Sequence, residues 1–311
     1  NSLAVTPRFN RNGVDWYGDI VATKPVQRRG TDGKPTVTYS TEWTGSQKLP
    51  AAASRKLFYA TTTDDSTPAV ADFNTAGPST LATLCANYAA GTCGPLTGAD
   101  VNALGVTAAQ AVAYLAGDRS LEGTKLRTRT HALGDIINSS PVVTAPTDDY
   151  GYSLLRKADG TYVYDPYNYN SYLDAKKNRK RMVYVGANDG MLHAFNGDTG
   201  VEAFGYIPAT AVGYMGNLLF PNSPNFQHRY YVDGPVVASD AMFGTTWKSV
   251  LVGTAGAGGR SVFGLNVTSA GSGGFGADDV LWEVNDKIPG AVGGRIGHVV
   301  GKPVIVPVHS S

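Results

Sequence analysis

Charge is the first thing this chain has little of. Of 311 residues only 16% are Asp, Glu, Lys or Arg, and 26 basic against 25 acidic side chains leave a formal charge of +1. Bulk electrostatics therefore gives no case for nucleic acid or an anionic membrane as a partner. Long apolar runs are missing too, since none approaches the roughly 20 residues of a membrane span. No charged-then-apolar leader opens at Asn1, which leaves a chain that is not exported, or one already processed or shortened. Histidine is scarce and dispersed, at positions 131, 193, 228, 298 and 309, without metal-ligand spacing. No G-x-S-x-G elbow occurs, and Ser, His and Asp are too common for their presence alone to imply a triad. Gly256-Ala-Gly-Gly-Arg-Ser261 supplies two glycines of a dinucleotide fingerprint. The strand-like Val262-Phe-Gly-Leu-Asn-Val267 follows it, where a phosphate loop needs a helix N-terminus, so a tight turn is expected instead.

What is present is β-rich. With 42% hydrophobic residues the chain can bury a sizeable core, and 38 glycines and 17 tyrosines fit a turn-rich sheet protein. The organising stretch is Met182 to Gly200. Val183 and Val185 share one face of a first strand and Tyr184 the other, while Leu192 and Ala194 alternate with His193 and Phe195 on a second. Asn188-Asp189-Gly190 between them is expected to supply the positive backbone angles of a hairpin turn. His193 reads as a structural member of its strand. Asn196-Gly-Asp-Thr-Gly200 is a further turn that launches Val201 to Ile207, and Asp198 and Asp233 are expected to satisfy turn amides. Strand, turn, strand, turn, strand is most of a propeller blade.

The pattern recurs. Val250 to Thr268 repeats the hairpin, with Val252-Gly253 matching Val185-Gly186 and Leu265-Asn266 matching Phe195-Asn196. Ser139-Ser-Pro-Val-Val143 and Asp233-Gly-Pro-Val-Val237 enter these two blades, and Gly301-Lys-Pro-Val-Ile305 reads as the entrance to a third. Each begins near a proline, tolerated where a strand starts. The fold class expected is mainly β: a β-propeller with quinoprotein-like blades, incomplete in this chain, carrying a small helical insertion.

Three regions follow. Residues 1–63 form an irregular β-rich lead-in, with strands in Gly13–Thr23, Thr36–Tyr39 and Lys56–Ala60 and a solvated basic tip from Arg28 to Lys34. Trp16 and Trp43 read as packing residues, because no basic groove accompanies them. Residues 64–130 are helical: Ser79 is expected to cap a helix bearing Leu81, Leu84, Cys85 and Tyr88, and Thr107 with Gln110 makes a capping box before Val112 and Leu115. Gly91 and Gly117 are expected to stop these helices. Cys85 and Cys93 can close a small loop as a disulfide in an exported protein; two unrelated thiols are the alternative, and a metal site lacks nearby ligands. Residues 131–311 hold the blades. Between them lies an insertion with Tyr150, Tyr152, Tyr162, Tyr164, Tyr167, Tyr169 and Tyr172, followed by Lys176-Lys-Asn-Arg-Lys-Arg181. Tyr162, Tyr164, Tyr167, Tyr169 and Tyr172 are the candidate partner surface, for a sugar or a protein. The other reading is a long loop folded back on its blade, tyrosines packed and charges solvated.

Four motifs carry a family resemblance. Tyr114-Leu-Ala-Gly-Asp-Arg-Ser-Leu-Glu-Gly123, Leu133-Gly-Asp-Ile-Ile-Asn-Ser-Ser-Pro-Val-Val143, Val183 to Phe195 and Trp247 to Phe263 resemble, in order, the PilC/PilY-type type IV pilus-tip and pilus-biogenesis proteins. The likeness covers about residues 110–308, with looser echoes at Trp16–Ile20 and Leu49–Arg55. It implies a C-terminal β-propeller of an exported, non-enzymatic bacterial protein, at the pilus tip, outer-membrane surface or periplasm. Such a protein promotes pilus assembly and adhesion, with minor pilins and a host-cell or abiotic surface as partners. The family's acidic calcium loop is not recognisable: Asp64-Asp65, Asp148-Asp149 and Asp278-Asp279 are adjacent pairs, whereas calcium takes about six to eight oxygen ligands. Calcium is thus expected only of the full-length family protein, and no catalytic, cofactor or metal residue is assigned here.

Two alternatives share the blade pattern. Ala194 to Phe204 resembles the blade motif of pyrroloquinoline-quinone dehydrogenases, with Phe204 where tryptophan is typical. A quinone would need convergent basic groups, metal ligands and a catalytic acid, and no such set is identifiable. An outer-membrane assembly propeller would lack the Asp118-Arg119 and Leu133-to-Pro141 signatures. The blade assignment implies that Gly190→Val disrupts the first hairpin and that deleting Tyr150 to Lys180 spares folding.

Overall fold

The computed structural model describes residues 3–61, 67–86, 92–94, 96–221, 226–289 and 293–306. The chain opens with β1 (Ala4–Asn12), β2 (Asp15–Arg29) and β3 (Pro35–Thr44), an antiparallel sheet in that order. Then come β4 (Leu57–Ala60) and β5 (Val70–Asp72), followed by the short helices α1 (Phe73–Ala76), α2 (Gly98–Asn102) and α3 (Ala108–Leu115). The first blade is β6 (Val142–Thr144), β7 (Met182–Gly186), β8 (Leu192–Asn196) and β9 (Glu202–Ile207), with helix α4 (Tyr169–Lys176) inserted before β7. After α5 (Ala209–Val212) the second blade is β10 (Val236–Phe243), β11 (Thr246–Thr254), β12 (Ser261–Asn266) and β13 (Val280–Asn285).

Each blade is an antiparallel meander of consecutive strands. The first is extended on its β9 side: β4 adds in parallel, Leu57 opposite Gly205, and β5 pairs with β4, giving the order β5-β4-β9-β8-β7-β6. Two strands, β4 and β5, thus extend a sheet whose other four members, β6 to β9, begin only at Val142. The period-2 rule places the two faces of the β7–β8 hairpin in two different cores. Met182, Tyr184, Leu192 and Ala194 meet Val236, Leu251, Phe263 and Leu265 of the second blade, where Phe204 also stacks on Phe275 with centroids 3.6 Å apart. Val183, Val185 and Phe195 face Ile20, Ala22 and Trp43 of the first sheet, together with Leu133 and Ile136. A third cluster seats the helical region on β4 through Leu57, Tyr59, Phe73 and Leu84. Trp43 is buried, and its indole Nε1–H donates to the Gly197 carbonyl at 2.9 Å.

Several expectations change. Of the hairpin-turn residues only Gly190 has a positive φ, 96°; Asn188 and Asp189 keep ordinary negative angles. The three-residue loop closes through Ala187 N–H to Met191 C=O at 2.9 Å, so one left-handed residue at its end suffices. Ser79 caps nothing: Leu81–Cys85 is a 3-10 turn preceded by Thr80 with no side-chain cap, too short for the α-helix expected. The Thr107–Gln110 capping box is present, and Thr97–Asp100 forms a second at the start of α2. Gly301–Ile305 joins no ladder among the described residues. Asn196, not Asp198, satisfies its turn, its Oδ1 accepting the amides of Asp198 and Thr199 at 3.0 Å each. Tyr88, Gly91, the Asp64-Asp65 pair and His309 lie outside the described residues. No helix among the described residues is long and apolar enough to cross a membrane.

Candidate partner surface and the blade junction

The tyrosine-rich insertion folds onto the second blade rather than displaying a flat face. Asp240, in the middle of β10, is fully buried and organises it. Lys176, at the end of α4, donates to both Asp240 oxygens at 3.0 and 2.8 Å and to the Asp148 carbonyl at 2.7 Å. The Tyr169 hydroxyl donates to Asp240 Oδ2 at 2.9 Å, and the Tyr172 hydroxyl reaches Oδ1 at 3.0 Å. Ser249 of β11 adds another hydroxyl at 2.9 Å. Around this polar core the rings pack on Trp247, with Tyr169 at 4.5 Å and Tyr164 edge-on at 5.4 Å. Burial and the neighbouring Asp240 carboxylate push the Tyr172 phenol up to about 12, and they push Tyr169 higher still.

The five candidate surface tyrosines therefore separate. Tyr169 is buried and Tyr164 and Tyr172 are half-buried in this buttress. Tyr167 is exposed, and Tyr162 stacks under Arg156 at 3.9 Å on an outer loop. The reason is the buried carboxylate: Asp240 needs charge and donors, and the insertion supplies them. Excising Tyr150 to Lys180 would strip Asp240 of Lys176, Tyr169 and Tyr172, so the deletion should destabilise the fold and not spare it.

The hairpin turn Asn188-Asp189-Gly190 is also internal. Asn188 Nδ2 donates to Asp135 at 2.7 Å, and its own amide donates to the Asp135 carbonyl at 2.9 Å. Asp189 accepts the Gly134 amide at 2.9 Å. A Cβ on Gly134 would collide with the Asp189 backbone, so the close approach requires glycine. Further along the same segment, Asn138 donates to Asp233 through backbone and side chain, at 3.2 and 2.5 Å, and Ser139 Oγ accepts the Gly186 amide at 2.9 Å. One motif, Leu133 to Pro141, thus ties the first hairpin to the strand that opens the second blade.

Behind the turn runs a buried charge chain that sequence reasoning missed. Arg55 grips Glu202 with two bonds of 2.6 and 2.7 Å, Glu202 meets His193 Nδ1 at 2.7 Å, and His193 Nε2 lies 3.1 Å from both Asp189 oxygens. Burial alone would hold His193 neutral, but Asp189 and Glu202 outweigh it and raise its pKa to about 9. Burial would likewise raise Glu202, and Arg55 with His193 instead brings it down to about 2. Asp189 is lowered for the same reason, burial being overcome by His193. The imidazole stays protonated between two carboxylates, which suits a structural clamp and not a general base at neutral pH.

Beside the turn, Trp16, Arg127, His131, Asp135, His228 and Arg229 line a cleft with about 20 Å³ of open volume, room for about one water. Most of its charges are engaged: Arg127 pairs with Asp15 at 2.6 Å and His228 with Asp135 at 2.9 Å. Of the adjacent acidic pairs, Asp148-Asp149 and Asp278-Asp279 are among the described residues, and their bonded carboxylates serve their own loops. Asp148 accepts the Ala145 amide, Asp149 accepts Gly151 N–H and Ser153 Oγ–H, and Asp279 accepts Gly276 N–H and Asn266 Nδ2. They do not fit a calcium cage, and no group of three or more His, Cys, Asp or Glu converges among the described residues. Cys85 and Cys93 are disulfide-bonded.

Residues 133–311 match the family model of the PilY1 β-propeller domain, and the match begins at the segment that ties the blades together. The chain belongs to the PilY1 β-propeller family. A type IV pilus biogenesis factor PilY1 homolog of Xylella fastidiosa is 42% identical over 212 residues, covering 66% of this chain and 14% of that protein. The type IV pilus biogenesis factor PilY1 of Pseudomonas aeruginosa strain PAK is 38% identical over 201 residues, covering 64% of this chain and 16% of that protein. The solved P. aeruginosa PilY1 C-terminal domain aligns at 35% identity with a TM-score of 0.32, covering 45% of this chain and 25% of that one. The chain therefore spans a small part of the length of these curated relatives. Both family membership and the mainly β propeller class agree with the motifs read from the sequence, and the quinoprotein and outer-membrane-assembly alternatives are not favoured.

Proposed function

We propose that this chain is a non-catalytic propeller scaffold within a type IV pilus biogenesis factor. In this reading the protein is exported to the bacterial cell envelope and promotes pilus assembly and surface adhesion. Minor pilins at the pilus tip are its partners, engaged through exposed loops and sheet edges. The observation that carries the reading is where the conspicuous residues go. Asn188 donates to Asp135, Gly134 to Asp189 and Gly186 to Ser139, which ties together the Leu133–Val143 and Val183–Phe195 segments that carry the family resemblance, and Asn138 donates to Asp233 at the entry to the second blade. Fixed blades are what a binding scaffold needs, because its surface loops inherit their positions from the sheets beneath them.

The test is an in-frame deletion of residues 1–311 in the bacterium that carries the gene, with the rest of the protein still produced. Surface pili, sheared and counted, should fall to the level of a strain lacking the whole gene. Normal piliation with the truncated protein at wild-type abundance would refute the assembly role.

A further inference from the structure

The β2–β3 hairpin reaches beyond everything it could pack against. Its base is anchored by Ile20, Val21, Ala22 and Trp43, all buried. From Lys24 to Arg29, paired with Ser40 to Pro35, the ladder continues for about 20 Å at the usual strand rise. Every residue from Thr31 to Glu42 is exposed, with Val37 at 58% and Tyr39 at 67%. A two-stranded ribbon with no core beneath it is marginal by itself. β3 is also the last strand of its sheet, so its outer backbone edge is unpaired among the described residues.

The side chains say what would pair with that edge. Cross-strand partners share a face, so Lys24, Val26, Arg28, Thr36, Thr38 and Ser40 line one side, and Pro25, Gln27, Arg29, Pro35, Val37 and Tyr39 the other. The first side is hydroxyl-rich and basic; the second is mostly apolar. Lys24 is paired with Glu42 at 2.7 Å, while no carboxylate among the described residues pairs with Arg28 or Arg29.

We infer that β3 is a strand-addition site for an extended segment of a partner protein in which acidic and apolar residues alternate. Its apolar side chains would lie beside Val37 and Tyr39. Its carboxylates would lie beside Thr36 and Thr38, with Arg28 about 10 Å away across β3, inside the reach of two long side chains. The inference rests on the arm alone and stands whether or not the partner belongs to a pilus.

The test uses a fluorescent octapeptide alternating Val and Glu, titrated into the whole chain. Controls are the Val–Lys octapeptide, the Val–Glu peptide N-methylated at alternate residues, and octaglutamate. The account expects saturable binding of Val–Glu only, weakened at least about tenfold by Arg28→Glu with Arg29→Glu and by raised salt. Replacing Val26 to Thr38 with Asn-Gly, which closes Pro25 onto Tyr39, should abolish binding and leave the melting temperature unchanged. No binding of Val–Glu by the intact chain would overturn the inference. Equal binding of the N-methylated peptide or octaglutamate would show charge attraction without strand pairing and would also overturn it. If the shortened arm misfolds, the double charge reversal and the N-methylated peptide decide the matter unaided.

Discussion

Replacing Lys176 with Met tests whether the tyrosine-rich insertion is a buttress. The Lys176 ammonium and the Asp240 carboxylate are 4% and 0% exposed, so neither has water to fall back on. Removing one partner of a buried pair costs about 3–5 kcal/mol, because the remaining charge is stranded. Asp240 would keep three hydroxyl donors, from Tyr169, Tyr172 and Ser249, which places the cost near the lower end, about 3 kcal/mol. At about 2 °C per kcal/mol for a chain of this size, the melting temperature should fall by about 6 °C. Asp240→Leu should cost at least as much, since it leaves the ammonium buried. The double variant Lys176→Met with Asp240→Leu should be less destabilised than the two singles added together, by at least about 1 kcal/mol. Urea unfolding followed by near-ultraviolet circular dichroism, which reports the rings packed on Trp247, would measure all three. A Lys176→Met chain within about 0.5 kcal/mol of wild type, the range of ordinary surface changes, would refute the buttress.

Three further outcomes are expected. Gly190→Val forces a β-branched residue to a φ of 96° and places its Cβ 3.0 Å from Met215 Cε, so it should cost more than the roughly 1–3 kcal/mol of backbone strain alone; an unchanged urea midpoint would contradict the hairpin geometry. Reducing the Cys85–Cys93 bond, which spans a sequence separation of 8, should cost about 2–3 kcal/mol on the loop-entropy estimate, read as a lower melting temperature in dithiothreitol that the Cys85→Ser chain does not share. For the charge chain, His193 rises from 6.5 to about 9 on folding, so its contribution is complete below pH 6.5 and disappears as pH rises through 9. Glu202 falls from 4.5 to about 2, so its contribution is complete above pH 4.5 and is lost as pH falls toward 2. Wild type should lose more stability between pH 6 and pH 9 than His193→Gln does; parallel curves would show that the imidazole is not held ionised.

The parts legible in the sequence are those set by neighbours along the chain. The β7–β8 hairpin was readable because alternation and an Asn-Asp-Gly turn lie within fifteen residues, and the Thr107–Gln110 box because a cap needs only four. Arg55 and Glu202 are 147 residues apart and meet because β4 adds to β9, a pairing that no local pattern announces. His193 could be placed on its strand, but not between two carboxylates. Asp240 did carry a signal, a lone acid in the strand Val236 to Phe243, and joining it to the lysine at the end of a tyrosine-rich insertion would have exposed the buttress. Alternation also cannot say where a strand leaves the core. The β2–β3 ribbon therefore read as short strands with a solvated tip, when its pairing runs on to Arg29 and Pro35.

The most direct test of the scaffold reading is a binding titration of the purified chain against purified minor pilins, with a pyrroloquinoline-quinone titration on the same sample. The account predicts saturable pilin binding and no quinone binding. Quinone binding at micromolar concentration or below, with no pilin bound, would contradict it.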